Sequence, residues 1–411
     1  MNTIVFDVET EFDTTGIPER SYKPGNFDPV FRGPVALRTA LAQSINIPAV
    51  KVMYLAGIDD VLKTAELFGL TTLTERSRYG LSLVLGGGEV RLSELVNAYA
   101  VFANDGKKNK QTLITRVEDD KGEVLEEYEE QTTQIIEPQY VRLINNVLSD
   151  TKERSGLFGG SLNLTIFPGY EVALKTGTTN NFVDAWSIGY TPNLVVGVWA
   201  GNNHREPLQK SGGSILAAVP MWSEFMREAL KDTEPEFFVQ PDPYTATKPV
   251  LRGDYAYQKQ IHNILYYVRK NDPQGPAPLR PEDDPQFWNW EFPVLKWAER
   301  NVADFAGYNK GVYNAEENTD VEITIREPQN GSYAQNTLNL NFDILSNRSL
   351  VRVEVLWNDV RIDEVAIQAV PFSYQKQHTF EPSDLKLQNK LSVRAVSSEG
   401  AAYQKDVVVY K

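Results

Sequence analysis

The stretch Lys175-Thr176-Gly177-Thr178-Thr179 ends a run of alternating apolar and polar residues. The alternation predicts a half-buried β-strand that carries the lysine at its end, because successive side chains on a strand point to opposite faces. The glycine lets another backbone approach closely, the hydroxyl groups can bind a carboxylate, and the lysine contributes positive charge. A polar turn that simply ends a strand explains the same residues, so the string alone leaves both interpretations open.

This predicted strand opens a three-part β-meander. The segments Val183–Tyr190 and Leu194–Ala200 are apolar and aromatic, and a turn joins them. Apolar residues at helical spacing predict helices around the meander, one after Pro48 and others over residues 61–68, 92–102 and 214–230. We expect the last of these helices to turn a single stripe inward, made of Leu216, Val219, Trp222, Phe225 and Met226.

A second string, Ser44-Ile45-Asn46, lies between two predicted helices. In one interpretation it presents a hydroxyl and an amide together for function. Helix capping explains the same residues, because Asn46 can cap a helix with Pro48 in its first turn, while Ser44 ends the previous helix. This string alone also leaves both interpretations open.

Together, the two strings resemble the second and third motifs of the serine penicillin-recognising enzymes, Ser-x-Asn between helices and then Lys-Thr-Gly on a strand. Over about residues 1–230 the sequence is similar to the transpeptidase domain of class A (bifunctional) penicillin-binding proteins. The resemblance implies an α/β (α+β) fold of the penicillin-binding-protein transpeptidase and serine β-lactamase type. The stretches that carry it are Phe31-Arg32-Gly33-Pro34, Arg38–Val50, Leu85–Val90, Asn97–Ala100 and Lys175–Trp186.

The resemblance also implies a reaction. In this family an active-site serine, one helical turn before a lysine, attacks a peptidoglycan stem peptide and forms an acyl-enzyme, which the amine of a neighbouring stem then resolves. It implies peptidoglycan stem peptides as partners, β-lactams as inhibitors and no cofactor. It also implies an extracytoplasmic location, on the cell-wall side of the cytoplasmic membrane.

Carried onto this chain, the resemblance assigns roles to residues of both strings. Ser44 would relay protons, Asn46 would hold the donor's backbone amide, and Lys175 would contribute positive field. The strand would pair with the substrate as an added β-strand, and the backbone N–H of Thr178 would form half of the oxyanion hole. The substrate-binding residues would be Thr176, Gly177 and Thr178.

One motif of the family is missing. Ser-x-x-Lys should precede Ser-x-Asn, and no such string lies before Ser44. We therefore expect an N-terminally truncated or mis-started piece of a longer protein, anchored to a membrane through a missing upstream segment, since no signal peptide or apolar span is present either. Three Ser-x-x-Lys strings occur later, and we interpret them as chance: Ser149/Lys152, Ser373/Lys376 and Ser383/Lys386.

Because the nucleophile is missing, the sequence leaves open whether this chain is itself an enzyme. Two other functions of the same fold remain possible. One is a non-catalytic cell-wall scaffold that binds peptidoglycan reversibly. The other is a D,D-carboxypeptidase or β-lactamase-like hydrolase, in which water resolves the acyl-enzyme.

The length of 411 residues suggests two or three domains, at roughly 100–200 residues each. We predict a transpeptidase domain over residues 1–232 and a proline-rich connector over 233–317, with short helices at Gln260–Arg269 and Pro293–Arg300. Residues 318–411 are predicted to form a β-sandwich of immunoglobulin type. Its alternating runs are Val321–Arg326, Thr337–Leu345, Leu350–Trp357, Val360–Ile367, Leu391–Val396 and Tyr403–Tyr410.

Composition excludes several other classes of protein. The 41 basic and 55 acidic side chains give a net charge of −14, which argues against nucleic acid as a partner. The absence of cysteine excludes disulfides, thiol nucleophiles and thiolate metal sites. The histidines, His204, His262 and His378, show no ligand spacing, so we predict no metal site.

Overall fold

The computed structural model describes residues 1–12, 22–209, 213–270, 272–278, 280–303, 305, 308, 321–329, 332–333, 337–346, 349–381, 384–386, 388–398 and 402–411. The chain forms two compact units, Met1–Tyr308 and Asn309–Lys411. Residues 309–317 of the predicted connector and Ser383 lie outside the described residues. The division at residues 232 and 317 stays a prediction.

The first unit is mixed α/β. Short 3-10 turns connect several of its elements, for example at Leu81–Leu85 and Ile264–Tyr266. In chain order its strands and helices are β1 (Ile4–Asp7), β2 (Gly33–Ala36), α1 (Leu37–Ala42), α2 (Asn46–Ala56), α3 (Ile58–Phe68), α4 (Leu92–Ala103), β3 (Lys107–Asn109), β4 (Arg116–Glu118), β5 (Val124–Glu127), β6 (Thr132–Gln134), α5 (Pro138–Leu148), α6 (Thr151–Phe158), β7 (Ala173–Thr178), β8 (Asp184–Thr191), β9 (Leu194–Gly201), α7 (Gly213–Leu216), α8 (Ala218–Ala229) and α9 (Phe287–Asn301).

The predicted β-meander is confirmed. Strands β7, β8 and β9 form an antiparallel sheet in that order, which leaves β7 at an edge. The register pairs Lys175 with Ile188 and Thr178 with Ala185. Helices α4 and α8 pack on the sheet, and the fully buried ring of Trp222 on α8 lies at the centre of this core.

The helix expected over residues 214–230 is wrong in two respects. The chain breaks into α7 and α8 at Ala217, because the ring of Pro220 would clash with the carbonyl of Leu216 in a continuous helix. Only part of the expected stripe is buried, since Leu216 is 65% exposed and Phe225 59% exposed. The break removes Leu216 from the stripe, and Phe225 lies roughly a quarter turn away from it. The residues that are fully buried are Val219, Trp222 and Met226.

A second core joins the N-terminal elements to the proline-rich part of the chain. Trp290 of α9 is fully buried, and its ring lies edge-on to those of Phe12, at 5.8 Å, and Tyr54, at 5.3 Å. Val50 and Met53 of α2 belong to the same cluster. The aromatic residues of the proline-rich segment therefore support the helix that follows Ser44-Ile45-Asn46.

The two helices predicted in this segment differ from the structure. Residues 260–269 contain one 3-10 turn instead of a helix. The side chain of Asn263 fixes this turn, because its Oδ1 accepts from the N–H of Leu265 at 2.8 Å and its Nδ2 donates to Glu291 at 2.7 Å. Helix α9 begins before Pro293 and continues through it. Burial of residues at helical spacing compensates for the hydrogen bond that proline cannot donate, and those residues are Phe287, Trp290, Val294 and Ala298.

The second unit is built of strands. Its two sheets have the orders β10-β12-β15 and β11-β17-β16-β13-β14, from strands β10 (Val321–Glu327), β11 (Ser332–Tyr333), β12 (Thr337–Ser346), β13 (Leu350–Trp357), β14 (Val360–Ala366), β15 (Phe372–Thr379), β16 (Gln388–Ser397) and β17 (Ala402–Tyr410). Buried residues of both sheets, such as Leu340 and Val353, form one core. The predicted β-sandwich is confirmed. Strand β15 escaped prediction because most of its side chains are polar and exposed.

None of the helices in the described part of the chain is suited to crossing a membrane. Helix α9, with 15 residues, carries charged residues as well as its buried face. No described helix combines the length and the apolar character that a membrane span needs.

We predict that Gly189→Ala destabilises the first unit by about 1–3 kcal/mol, the usual cost of overpacking a core. A Cβ at this position would lie 2.2 Å from Cζ2 of the buried Trp222 and 3.0 Å from the carbonyl oxygen of Ala173. Urea unfolding at 25 °C measures the change. The matched control is Gly177→Ala on the adjacent strand, where the new Cβ meets only Cβ of Trp186, at 3.5 Å. Equal losses in the two variants would contradict this account.

Candidate active site

Helix α1 ends in a tight turn at Ser44. The N–H of Ser44 donates to the carbonyl of Leu41 at 3.3 Å, and the N–H of Ile45 donates to that of Ala40 at 2.9 Å. This is the Schellman pattern of helix termination, and Ala40 and Ile45 make its apolar contact together with Val35. The pattern requires a left-handed residue after the helix, and Ser44 adopts it with a φ of 56°.

This conformation is costly for serine. The position is usually glycine, because a Cβ in the left-handed region crowds the backbone by about 1–2 kcal/mol. Strained residues of this kind concentrate at functional sites, where the surrounding structure holds them in place. Ser44 is therefore marked as a candidate functional residue by its backbone as well as by its motif.

The hydroxyl of Ser44 meets the ammonium of Lys175. Nζ of Lys175 donates a hydrogen bond to Oγ of Ser44, which joins residues 131 positions apart. The same Nζ donates to the carbonyl of Thr176 at 2.9 Å. The structure thus brings together one residue from each of the two strings that the sequence singled out.

The surroundings of Lys175 change its acidity. Burial lowers the pKa of Lys175 from 10.5 to about 8, because desolvation disfavours the charged form and both hydrogen-bond partners are neutral. A lysine with this pKa can supply positive charge at neutral pH and still exchange its proton with a nearby hydroxyl. Such behaviour is typical of catalytic sites.

The residues after Lys175 continue along the open edge of the sheet. In the described part of the chain β7 pairs only with β8, so alternate backbone N–H and C=O groups face away from the sheet. The hydroxyl of Thr178 donates to Ser214 Oγ at 3.2 Å and accepts from the N–H of Ser214 at 3.0 Å. The start of α7 therefore fixes Thr178, while Thr176 and Gly177 lie between it and Lys175.

A carboxylate that sequence analysis missed braces the end of this strand. Asp184 accepts hydrogen bonds from the hydroxyl of Thr179 at 3.0 Å and from Nε1 of Trp199 at 2.9 Å. The N–H of Asp184 donates back to the Thr179 hydroxyl at 2.8 Å. The two bonds between Thr179 and Asp184 hold the ends of the turn together, since Thr179 follows β7 and Asp184 begins β8. The only local signal in the sequence is an acidic residue near the start of an otherwise apolar strand.

Asn46 is the first residue of α2, but its side chain does not cap the helix. Its Nδ2 donates to the carbonyl of Gly25 at 2.8 Å, and the N-cap position, Ile45, makes no side-chain bond. The backbone N–H of Asn46 is bound instead by Oδ1 of Asn26, at 3.0 Å. The capping interpretation of Asn46 is therefore wrong, and Asn26 is a second residue that sequence analysis missed.

The Ser-x-x-Lys strings of the described residues lack the geometry of a nucleophile pair. Ser149 ends α5 and donates to Oε1 of Glu171 at 2.9 Å, whereas the lysine of this string lies in the next helix. Ser373 lies on β15 and donates to Oδ1 of Asp343 at 2.7 Å. On a strand, residues three positions apart point to opposite faces. Neither string places its serine and lysine side by side.

Metal ligands are not grouped in the part of the chain that the structure describes. No cluster of three or more histidine, aspartate or glutamate side chains there could hold an ion. His262 lies in the core, with Nδ1 at 2.6 Å from Oε1 of Glu291. The side chains described at the candidate site are hydroxyls, amides, an ammonium and the carboxylate of Asp184.

Comparison with known proteins identifies the family. The profile of the penicillin binding protein transpeptidase domain matches residues 2–220, more than half of the chain. The chain therefore belongs to this family, and specifically to the transpeptidase domains of class A penicillin-binding proteins. The resemblance found in the sequence is confirmed.

Two curated relatives show how much of a penicillin-binding protein the chain covers. Penicillin-binding protein 2D of Bacillus subtilis is 30% identical over 328 residues, which are 73% of this chain and 44% of that protein. Penicillin-binding protein 1A of Aquifex aeolicus is 35% identical over 218 residues, which are 53% of this chain and 29% of that protein. The chain thus spans less than half the length of these relatives.

Solved structures agree on the fold. The PonA1 protein of Mycobacterium tuberculosis, solved in complex with penicillin V, superimposes with a TM-score of 0.50 at 26% identity, over 60% of this chain and 69% of that one. Penicillin-binding protein 1A of Haemophilus influenzae gives a TM-score of 0.52 at 24% identity, over 61% and 42%. The expected transpeptidase fold is confirmed.

We predict that Ser44→Gly is more stable than Ser44→Ala by about 1 kcal/mol. Both variants lose the hydroxyl that accepts from Lys175, but only alanine keeps a Cβ in the left-handed turn at a φ of 56°. Urea unfolding of the two variants side by side measures the difference. Equal stability, or a more stable alanine variant, would show that the turn is not strained.

We predict that the ammonium of Lys175 titrates near pH 8, because burial lowers its pKa. Nitrogen-detected NMR of labelled lysine side chains follows the titration, and the signal missing from Lys175→Arg assigns the resonance. Lys231 is the internal control, since its hydrogen bond with Glu228 raises its pKa above 10.5. A Lys175 midpoint close to that of Lys231 would rule out the desolvated environment.

Proposed function

We propose that this chain forms the Ser-x-Asn and Lys-Thr-Gly part of a penicillin-sensitive D,D-transpeptidase site that cross-links peptidoglycan stem peptides. The contact between Ser44 Oγ and Lys175 Nζ carries the proposal, because it joins the two motifs of the family in one place. We propose further that the nucleophile is the serine of a Ser-x-x-Lys segment outside these 411 residues. Membership in the transpeptidase family supports the reaction class.

In the first half of the reaction, the nucleophile oxygen attacks the carbonyl carbon of the penultimate D-alanine. The C–N bond to the terminal D-alanine breaks, an ester forms, and the leaving amine takes up a proton. Ser44 lies where a hydroxyl can accept one proton and donate another, which suits a relay between the lysine of the nucleophile pair and the leaving amine. The ammonium of Lys175 stabilises the negative charge that develops nearby.

In the second half, the amine of a neighbouring stem peptide attacks the ester carbonyl. The new C–N bond is the cross-link, the C–O bond breaks, and the serine oxygen recovers its proton. The same relay runs in the opposite direction, so Ser44 serves both halves. If water attacks the ester in place of the amine, the reaction is that of a carboxypeptidase. Analysis of the products, cross-linked or hydrolysed stem peptides, therefore distinguishes the two acceptors.

Substrate binding uses the open edge of the sheet. An extended peptide that pairs with β7 would receive main-chain hydrogen bonds from its outward-facing groups, as in other cases of strand addition. Thr176, Gly177 and Thr178 lie beside Lys175, where hydroxyl groups and positive charge suit the terminal carboxylate of a stem peptide. The backbone N–H of Thr178 is proposed as half of the oxyanion hole, and the amide of Asn46 as a contact to the donor peptide.

A β-lactam would acylate the same serine, because its strained amide presents a carbonyl to the nucleophile and its carboxylate to the Lys-Thr-Gly strand. The solved complex of the relative PonA1 with penicillin V supports this assignment. Peptidoglycan as the substrate places the site outside the cytoplasmic membrane.

For residues 318–411 we propose an immunoglobulin-like sandwich, supported by two sheets around one core.

We predict that Lys175→Ala lowers the rate of acylation by a fluorescent penicillin about 10²-fold, the usual effect of removing one electrostatic contact at a reacting oxyanion. The protein is expressed from its gene together with all in-frame coding sequence before Met1, and gel fluorescence follows labelling over time. Lys231→Ala, which removes an exposed lysine paired with Glu228 at 2.6 Å, is the control and keeps the unmodified rate.

Three outcomes would contradict the proposal in different ways. An unchanged rate for Lys175→Ala would remove the role given to that residue. Covalent labelling of the 411-residue chain alone would place the nucleophile inside it. Reversible binding of peptidoglycan fragments without any labelling of the longer protein would favour the non-catalytic scaffold.

A further inference from the structure

The first turn of α2 is capped by a residue from another part of the chain. The free N–H groups at a helix start usually bond to a side chain just before the helix, but Ile45 offers none. Oδ1 of Asn26 takes this place, accepting from the N–H of Asn46 at 3.0 Å and from that of Ile47 at 3.4 Å. Asn26 lies 20 positions before Asn46 and is separated from it by β2 and α1.

The other end of the same amide is held by a buried carboxylate. Nδ2 of Asn26 donates to Oδ1 of Asp7 at 2.8 Å and to the carbonyl of Val30 at 2.8 Å. Asp7 is 0% exposed, and its Oδ2 accepts from the N–H of Arg32 at 3.0 Å. Burial lowers the pKa of the nearby Lys51 to about 7, and its charge interaction with Asp7 opposes that lowering. Contacts other than Asn26 thus hold the carboxylate of Asp7 in place, so it can orient the Asn26 amide.

The amide of Asn26 therefore uses both N–H groups and both lone pairs of its oxygen. Among the residues that commonly cap helices, only asparagine can accept from the helix and also donate to two acceptors, here a carboxylate and a carbonyl, because a serine or threonine hydroxyl has one proton to donate. Aspartate would cap the helix but would face Asp7 as a second negative charge. This double requirement exceeds what a simple cap needs, so it points to a role in holding the helix start in position.

The helix start in question is the Ser-x-Asn turn. Asn46 is bound at its backbone by Asn26 and at its side chain by the carbonyl of Gly25, at 2.8 Å, so two neighbouring residues of one segment hold it. Two positions earlier, Ser44 is kept at a positive φ and receives the hydrogen bond of Lys175. A strained turn relaxes unless its flanks are fixed, and the Asn26 bonds fix the flank on the α2 side.

We propose that Asn26 is a positioning residue: its amide links the buried carboxylate of Asp7 to the start of α2 and so holds Ser44 against Lys175. The inference rests on the proposed function for its catalytic meaning, since the contact it preserves is the one on which acyl transfer depends. Asn26 itself touches no reacting atom.

The test compares three variants in the 411-residue chain, with Lys23→Ala as the matched control. Lys23 lies on the same segment as Asn26 and forms an exposed ion pair with Glu9, at 2.8 Å. Asn26→Ala removes the link, and Asn26→Asp keeps the acceptor for α2 but opposes Asp7. In the double variant Asn26→Asp with Asp7→Asn, donor and acceptor exchange places and the link between residues 7 and 26 forms again in the reverse direction, while the bond to the Val30 carbonyl stays lost.

Two readouts in this chain report on the turn and not merely on folding. Amide hydrogen exchange at Asn46 and Ile47 should accelerate about tenfold or more in both single variants, because those N–H groups lose a fixed acceptor or its support. The midpoint of the Lys175 titration should move up from about 8 towards its ordinary 10.5, as the ammonium leaves Ser44 and meets water. The double variant should restore both values, and the control should change neither.

The same variants in the longer protein connect the turn to catalysis. Acylation by the fluorescent penicillin should slow about tenfold to hundredfold in the single variants, the usual effect of a small misplacement of reacting groups, with the concentration for half-maximal rate little changed. Recovery in the double variant supports the proposal. If the unmodified protein is acylated but Asn26→Ala reacts at the same rate, the positioning role is overturned and the proposed function stands.

The two ideas fail separately. If the unmodified longer protein is never acylated, the proposed function fails, and the exchange and titration data in the shorter chain still decide whether Asn26 holds Ser44 against Lys175. If both readouts in the shorter chain match the control, the proposal about Asn26 is wrong whatever the acylation data show. If Asn26→Ala unfolds and gives no signals, the double variant Asn26→Asp with Asp7→Asn decides. If that variant does not restore the exchange rates and the Lys175 midpoint, the result counts against the link.

Discussion

The site depends on one hydrogen bond, from the ammonium of Lys175 to the hydroxyl of Ser44. Neither partner is in its lowest free-energy state. Ser44 has a backbone conformation that favours glycine, and burial disfavours the charge on Lys175. The two costs arise in separate elements, a helix end and an edge strand, so the contact persists only if both elements are held firmly by the rest of the unit.

Long-range polar contacts provide much of that support. On the strand side, Asp184 ties Thr179 to Trp199, and Ser214 holds Thr178. On the helix side, Asn26 and Asp7 fix the start of α2, and the ring of Trp290 covers Lys51 at 5.3 Å on the inner face of the same helix. The proline-rich part of the chain is in this way connected to the site, because its α9 contributes Trp290 to the core beneath α2.

The sequence predicted the elements whose apolar residues repeat at a regular spacing, such as the meander, α4 and the strands of the β-sandwich. It also pointed to Ser44 and Lys175, although only the family resemblance indicated that the two belong together. What it missed has no local period. Asn26 and Asp184 act through hydrogen bonds to residues that the fold brings near, such as Asn46 and Trp199, and no pattern within a short window records such partners. The break at Ala217 and the turn at Asn263 were missed for a related reason. In both segments the apolar residues keep helical spacing, but Pro220 interrupts one helix and the side chain of Asn263 caps a 3-10 turn in place of the other.

Among the described residues β7 pairs only with β8, and its other edge bears on self-association. An unpaired strand edge accepts any extended chain, including that of a second copy of the protein, and is a common starting point for aggregation. Strand β7 has only six residues, and the last four, Lys175–Thr178, are partly buried and include no large apolar side chain. These residues discourage pairing between copies, because an edge without large apolar side chains is a poor template. The composition of this strand therefore acts against self-association at the edge that β8 leaves unpaired.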